Sequence, residues 1–166
     1  MRTLLCVISI IVTIVLMDAC QKAESYPPEP HISLKSFALS NDSSLGIKVK
    51  LLTINLDFTD GDGDLFTPDT DSTLRAKAHL NIYKKVNGEF VQVPDSFWKT
   101  PYNFAFPYSS LMERNGQNKT QKGSIEFSVQ FLSGFPFDTI QVGCTLMDMA
   151  FHQSNEVKLP KEFVFK

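Results

Sequence analysis

Cysteine is scarce in this sequence. Three of 166 residues are cysteines, at positions 6, 20 and 144. Cys6 and Cys20 belong to an apolar leader, so Cys144 is left alone and no intramolecular disulfide is available to staple the fold. An excess of one charge is lacking too: 16 Lys and Arg against 18 Asp and Glu give a net charge of −2. With no basic patch, nucleic acid is excluded as a partner, as is attraction to anionic lipid head groups. No long stripe of apolar residues at helical spacing occurs in the body of the chain. Catalytic signatures are missing as well: there is no Gly-x-Ser-x-Gly, no His-Glu-x-x-His and no Cys/His nucleophile context. His31, His79 and His152 lie far apart, and Glu89, Glu113 and Glu126 offer none of the pairing that glycoside hydrolysis needs. The expectation is a protein that is not an enzyme.

What is present begins with the first twenty residues. Arg2 supplies a positive charge, Leu4 to Met17 is almost wholly apolar, and Ala19-Cys20 follows. That order reads as an export signal, and the run is shorter than the roughly 20 residues that span a bilayer. Leu16-Met17-Asp18-Ala19-Cys20 resembles a bacterial lipobox, with Met17 and Asp18 departing from its commoner choices. An ordinary signal peptide with an incidental cysteine is the alternative. The expected organisation is a removed lipoprotein signal peptide over 1–19, a lipidated Cys20 with a proline-rich tether over 20–30, and a domain over 31–166. Two or more acyl chains, at about 0.8 kcal/mol per buried methylene, hold a soluble domain on a membrane stably. Gln21-Lys22-Ala23-Glu24 has no aspartate at the second mature position and resembles the surface-export tag of some Bacteroidota lipoproteins. The expected location is therefore the bacterial outer membrane, on its periplasmic or outer side.

The body reads as β. Ala76, Ala78, Leu80 and Ile82 alternate with polar residues, as do Ile125, Phe127, Val129 and Phe131, and Ile140, Val142, Cys144 and Leu146. A buried structural thiol is the expectation for Cys144, and a surface position for His79. Asn87-Gly88 between two short β-like runs is a strong hairpin signal. From Ile47 to Phe58 the apolar phase changes between Leu51 and Leu52, which predicts a bulge or a strand that switches sheets. Further strands are expected near 31–39 and 156–165. About seven strands predict an all-β fold, an immunoglobulin- or fibronectin-like antiparallel sandwich, with an eight-stranded barrel as runner-up.

The chemistry concentrates in Asp57-Phe58-Thr59-Asp60-Gly61-Asp62-Gly63-Asp64. Six aspartates and no cation lie between Asp57 and Asp71. Carboxylates this dense repel unless they share a hard cation, and calcium takes 6–8 oxygens in irregular geometry. Asp57, Asp60, Asp62, Asp64 and Asp71 are the candidate calcium ligands, with Gly61 and Gly63 letting the backbone fold tightly. The spacing partly imitates an EF-hand, but Leu65 stands at the sixth position and Asp71 replaces the terminal glutamate. The alternative is a solvated turn whose charges aid solubility. A second candidate is the aromatic run Pro94 to Tyr108: Trp98 and Tyr102 make either a stacking surface for a glycan or protein partner or a packed cap on the sandwich. Asp71-Ser72-Thr73 and Asp138-Thr139-Ile140 resemble Bacteroidota O-glycosylation tripeptides, placing any sugar on Ser72 or Thr139.

Four motifs occur together: Cys20 after its apolar run, Tyr26-Pro27-Pro28-Glu29-Pro30, Phe58 to Asp64, and Asp148-Met149-Ala150-Phe151-His152-Gln153-Ser154-Asn155. In this the chain resembles small Bacteroidota lipoproteins without an assigned activity. The late motif in those proteins often carries an arginine where Met149 stands. The resemblance implies an exported sandwich and supplies no reaction. The expected function is a membrane-anchored binding or interaction module, stabilised by calcium, whose partner is an envelope protein or a glycan. A structural accessory subunit of an envelope or glycan-uptake complex is the alternative, and a hydrolase comes third.

Overall fold

The computed structural model describes residues 26–44, 46–65, 77–99, 102–105, 119–132 and 134–165. The signal segment, Cys20, Gln21 to Glu24, Asp71 and Ser72 lie outside them. The described chain is all-β and builds two antiparallel sheets. In the first, β1 (His31–Ser44) and β2 (Ile47–Asp60) form a long hairpin, and β6 (Gln121–Leu132) flanks β2 on its other side. In the second, β3 (Lys77–Val86) pairs with β7 (Thr139–Met147). The short β4 (Glu89–Gln92) and β5 (Asn103–Ala105) share the free flank of β3, and β8 (Val157–Lys158) and β9 (Phe163–Val164) share that of β7. Among the described residues, nine strands thus fill seven ladder positions. The expected last strand is split because Pro160, which has no N–H to donate, falls between β8 and β9.

Alternation sets the faces. Leu52, Ile54, Leu56 and Phe58 of β2 are buried, as are Ile125, Phe127, Val129 and Phe131 of β6. Across from them lie Ala78, Leu80 and Ile82 of β3 and Ile140, Val142, Cys144 and Leu146 of β7, and all of these meet in one core. Each such aliphatic side chain contributes roughly 1.5–3 kcal/mol on full burial. The β3–β4 hairpin turns at Asn87 (φ 51) and Gly88 (φ 91), two successive positive-φ residues that give the turn the strand-matching twist of type I′.

One expectation needs correction. The phase change in the Ile47–Phe58 segment brings neither a bulge nor a switch of sheet, because β2 stays in continuous register with β6 from Val49 to Asp60. The slip falls instead in β1, where Lys35 is the extra residue between Leu34 and Ser36. His79 lies on the outer face of β3, as expected, and is partnered there: it bonds Asn103 through Nδ1 at 2.7 Å, and its Nε2 lies 3.4 Å from Asp95.

Candidate metal centre

The buried column of β2 does not end on an apolar residue. Continuing Leu52, Ile54, Leu56 and Phe58 by two places puts Asp60 on the core side, and it is 0% exposed. β7 does the same. Two places beyond Leu146 comes Asp148, which is 1% exposed. Gln121, which faces Asp60 in the ladder, is also buried. Three strands therefore turn polar groups inward at one end of the core.

The loop after β2 folds back over this end. The Leu65 N–H donates to Asp60 Oδ2 at 2.9 Å, and the Leu65 side chain is buried in the core. Gly63 has φ +71, a conformation that favours glycine, and a Cβ there would collide with the Lys119 carbonyl. A Cβ on Gly61 would overlap the carbonyl oxygens of Tyr26 and Pro27. Tyr26 and Pro27, expected in a free tether, thus lie directly against the acidic loop. Thr120 Oγ1 donates to the Gly61 carbonyl at 3.3 Å, closing the loop from the third side.

One oxygen from each of Asp60, Asp62, Asp64 and Asp148 lies within 4.8 Å of the others. Oδ1 of Asp60, Asp62 and Asp64 is buried and accepts no hydrogen bond among the described residues. Leaving a buried acceptor unpaired costs about 1–3 kcal/mol, and more if it is charged. Two unit negative charges at that separation repel by on the order of 3 kcal/mol in a protein-surface dielectric. The titration of the group reflects this crowding. Burial pushes the Asp60 carboxyl up to about 7, with the Asp62 and Asp64 charges adding to the effect and the Leu65 N–H opposing it. Burial, then the charges of Asp148 and Asp62, pushes Asp64 up to about 6.

The late motif holds its aspartate from both sides. The His152 N–H donates to Asp148 Oδ1 at 2.7 Å, and His152 Nδ1 lies 3.0 Å from Oδ2. Against desolvation, the Asp148 carboxylate raises the His152 imidazole above its usual range. Ser154 Oγ accepts the Leu146 N–H at 2.8 Å, and Asn155 clasps Ile32 of β1 through its N–H at 2.8 Å and its C=O at 2.9 Å. The motif from Asp148 to Asn155 is thus a brace that ties the end of β7 to the start of β1 and delivers a fourth carboxylate.

Asp57 stands apart from this group. Its phase in β2 is the opposite one, and it accepts from Ser124 Oγ and pairs with Lys35 at 3.5 Å. The Ser124 hydroxyl, followed by the Lys35 charge, lowers its carboxyl below the ordinary range. Asp148 is the member of the cluster that sequence reasoning missed, although the period-two count along β7 would have found it.

The remaining candidates are dispersed. Trp98 stacks on Phe135 (centroids 5.8 Å apart, 20° between planes) and meets Phe97, Tyr102 and Phe137 edge-on at 5.0, 5.2 and 6.0 Å. Burial raises the Tyr102 hydroxyl above its usual range. Cys144 is fully buried, and burial pushes its thiol up to about 12. Thr139 opens β7 opposite Val164. Compared with protein-family models, with curated proteins and with solved structures, the chain has no match.

Proposed function

We propose that this protein is an exported, lipid-anchored binding module of the bacterial envelope whose immunoglobulin- or fibronectin-like domain is locked by a calcium ion. The observation that carries the reading is the meeting of Asp60, Asp62, Asp64 and Asp148, three of them with a buried unpaired oxygen. The donors are all hard oxygens, the choice for calcium or magnesium. Oxygens on opposite sides of a calcium ion stand about 4.6–5.2 Å apart, which suits this spacing, whereas magnesium prefers fewer carboxylates and more water. The ladder order supports the finer fold reading: β1-β2-β6 facing β4-β3-β7-β8 follows the A-B-E and C′-C-F-G strands of that class. The ion would join the loop after β2 to the brace after β7, at the end where Tyr26 and Pro27 lie.

The test is thermal unfolding of the full chain in detergent, with chelator and then with millimolar calcium. A ligand bound only by the native state adds about 2.7 kcal/mol at a hundred times its Kd. A midpoint rise of several degrees with calcium, and much less with magnesium, is expected. An unchanged midpoint removes the ion. The anchor is tested in parallel by detergent-phase partition, which Cys20→Ala should abolish. Glycan-array binding that is lost on Trp98→Ala would point to a glycan partner, and silence across the array to an envelope protein.

A further inference from the structure

At the end of the sheets away from the acidic cluster lies a cavity of about 690 Å³. Its volume falls within the roughly 300–1,000 Å³ typical of small-ligand sites. The floor is aromatic. Phe131, Phe135 and Phe165 contact one another at centroid distances of 4.8 to 5.3 Å, and Phe131 is 1% exposed. The wall is the turn end of the β1–β2 hairpin. Asn41 pairs with Lys50, which pairs with Phe131; one step further out, Ser43 pairs with Lys48. All of these side chains line the cavity.

The wall's charge is lopsided. Lys50 is half-buried with its ammonium 5.8 Å over the Phe165 ring, and among the described residues neither it nor Lys48 forms an ion pair. Asp42, the acid of the wall, accepts the Ser43 N–H at 2.7 Å. A partly desolvated ammonium beside an apolar floor gains most from a ligand that brings an anion and an apolar body together. The Asn41 amide and the Ser43 hydroxyl add donors for its oxygens. We propose that this cavity binds a small organic anion, a carboxylate or phosphate ester carried on an apolar body. The proposal does not depend on calcium. The cavity lies about eleven β2 residues from Asp60, on the order of 30 Å, and so opens away from the tether.

The test follows the backbone amides of the isotope-labelled full chain in detergent by NMR, with chelator present. The probes are decanoate, 2-naphthoate, decanol and decyltrimethylammonium, kept below micelle-forming concentrations. Saturable shifts at Lys48, Lys50, Phe131 and Phe165 with one or both anions are expected, at least tenfold tighter than with decanol or the cation. Decanoate against 2-naphthoate shows whether the body is alkyl or aryl. Lys50→Gln should weaken the anion fivefold or more, leave decanol unchanged and preserve the melting midpoint. Equal affinity for all head groups, shifts that map elsewhere, or no saturation would overturn the proposal.

Discussion

At the end where Tyr26 and Pro27 pack, the buried columns of β2 and β7 stop in Asp60 and Asp148, both shut away from solvent. At the far end the sheet runs out into Asn41, Ser43, Lys48 and Lys50, around a cavity floored by three phenylalanines. Both ends break the apolar pattern, but with different debts. The acidic end is closed, and its carboxylates face one another with oxygens left unpaired. The basic end is open, and among the described residues Lys48 and Lys50 form no ion pair. A closed polar cluster makes stability depend on what enters it, whereas an open one makes only binding depend on it.

The largest test of that contrast is Asp60→Asn. If the cluster holds calcium as proposed, the variant in millimolar calcium loses one carboxylate from the site, and a loss of about 2–3 kcal/mol should lower the midpoint by roughly 6–10 °C for a domain of this size. In chelator the sign should reverse, because a neutral amide relieves the repulsion, so the variant should melt a few degrees above the parent. Scanning calorimetry in the two buffers reads both. A variant that melts below its parent in both would mean that the cluster is an ordinary hydrogen-bonded network.

Acidity offers a second, smaller probe. In the metal-free protein the carboxyls of Asp60 and Asp64 are raised above their unfolded value of 3.8, to about 7 and about 6. The folded state therefore binds more protons than the unfolded chain between these limits. The stability this linkage contributes is present in full below pH 4 and is lost as pH rises through 6 and 7. In chelator the midpoint should fall between pH 5 and pH 7.5, while the increment from calcium should grow over the same interval. Parallel melting curves with and without calcium check it; an increment that shrinks with rising pH would contradict the carboxylate site.

Much of the acidic end was legible before folding, and the part missed has a definite cause. Alternating aspartate and glycine marked Asp60, Asp62 and Asp64, and the glycines prove necessary because the Tyr26–Pro27 and Lys119 carbonyls fill the space a side chain would take. Asp57 was grouped with them by proximity in sequence, yet the period of two places it with Asn55 on the outer face of β2. The same period places Asp148 inward, 84 residues from Asp64. Composition gathers neighbours in sequence; only strand phase gathers neighbours in space. The sandwich itself was visible in its alternating runs and in Asn87-Gly88. The division of its outer strands and the cavity were not, because both depend on where pairing stops, and pairing partners are set by the whole sheet.

The smallest expected effect belongs to the basic end. Lys50→Gln keeps part of the aliphatic stem and a polar tip while removing a charge that no carboxylate among the described residues balances. A substitution outside the packed core that breaks no ion pair usually shifts stability by no more than about 0.5 kcal/mol. The melting midpoint should therefore stay within roughly 2 °C of the parent, in chelator and in calcium alike. The cation–π contact with Phe165, 5.8 Å from the ring, is lost with the charge, at about 0.5 kcal/mol. A drop beyond that would show that Lys50 is structural, tied to the core through Phe165, and that the two ends differ less than their geometry implies. No drop, together with a lost response to decanoate or 2-naphthoate, would separate the ends as drawn: one whose chemistry holds the fold, and one whose chemistry is free for a ligand.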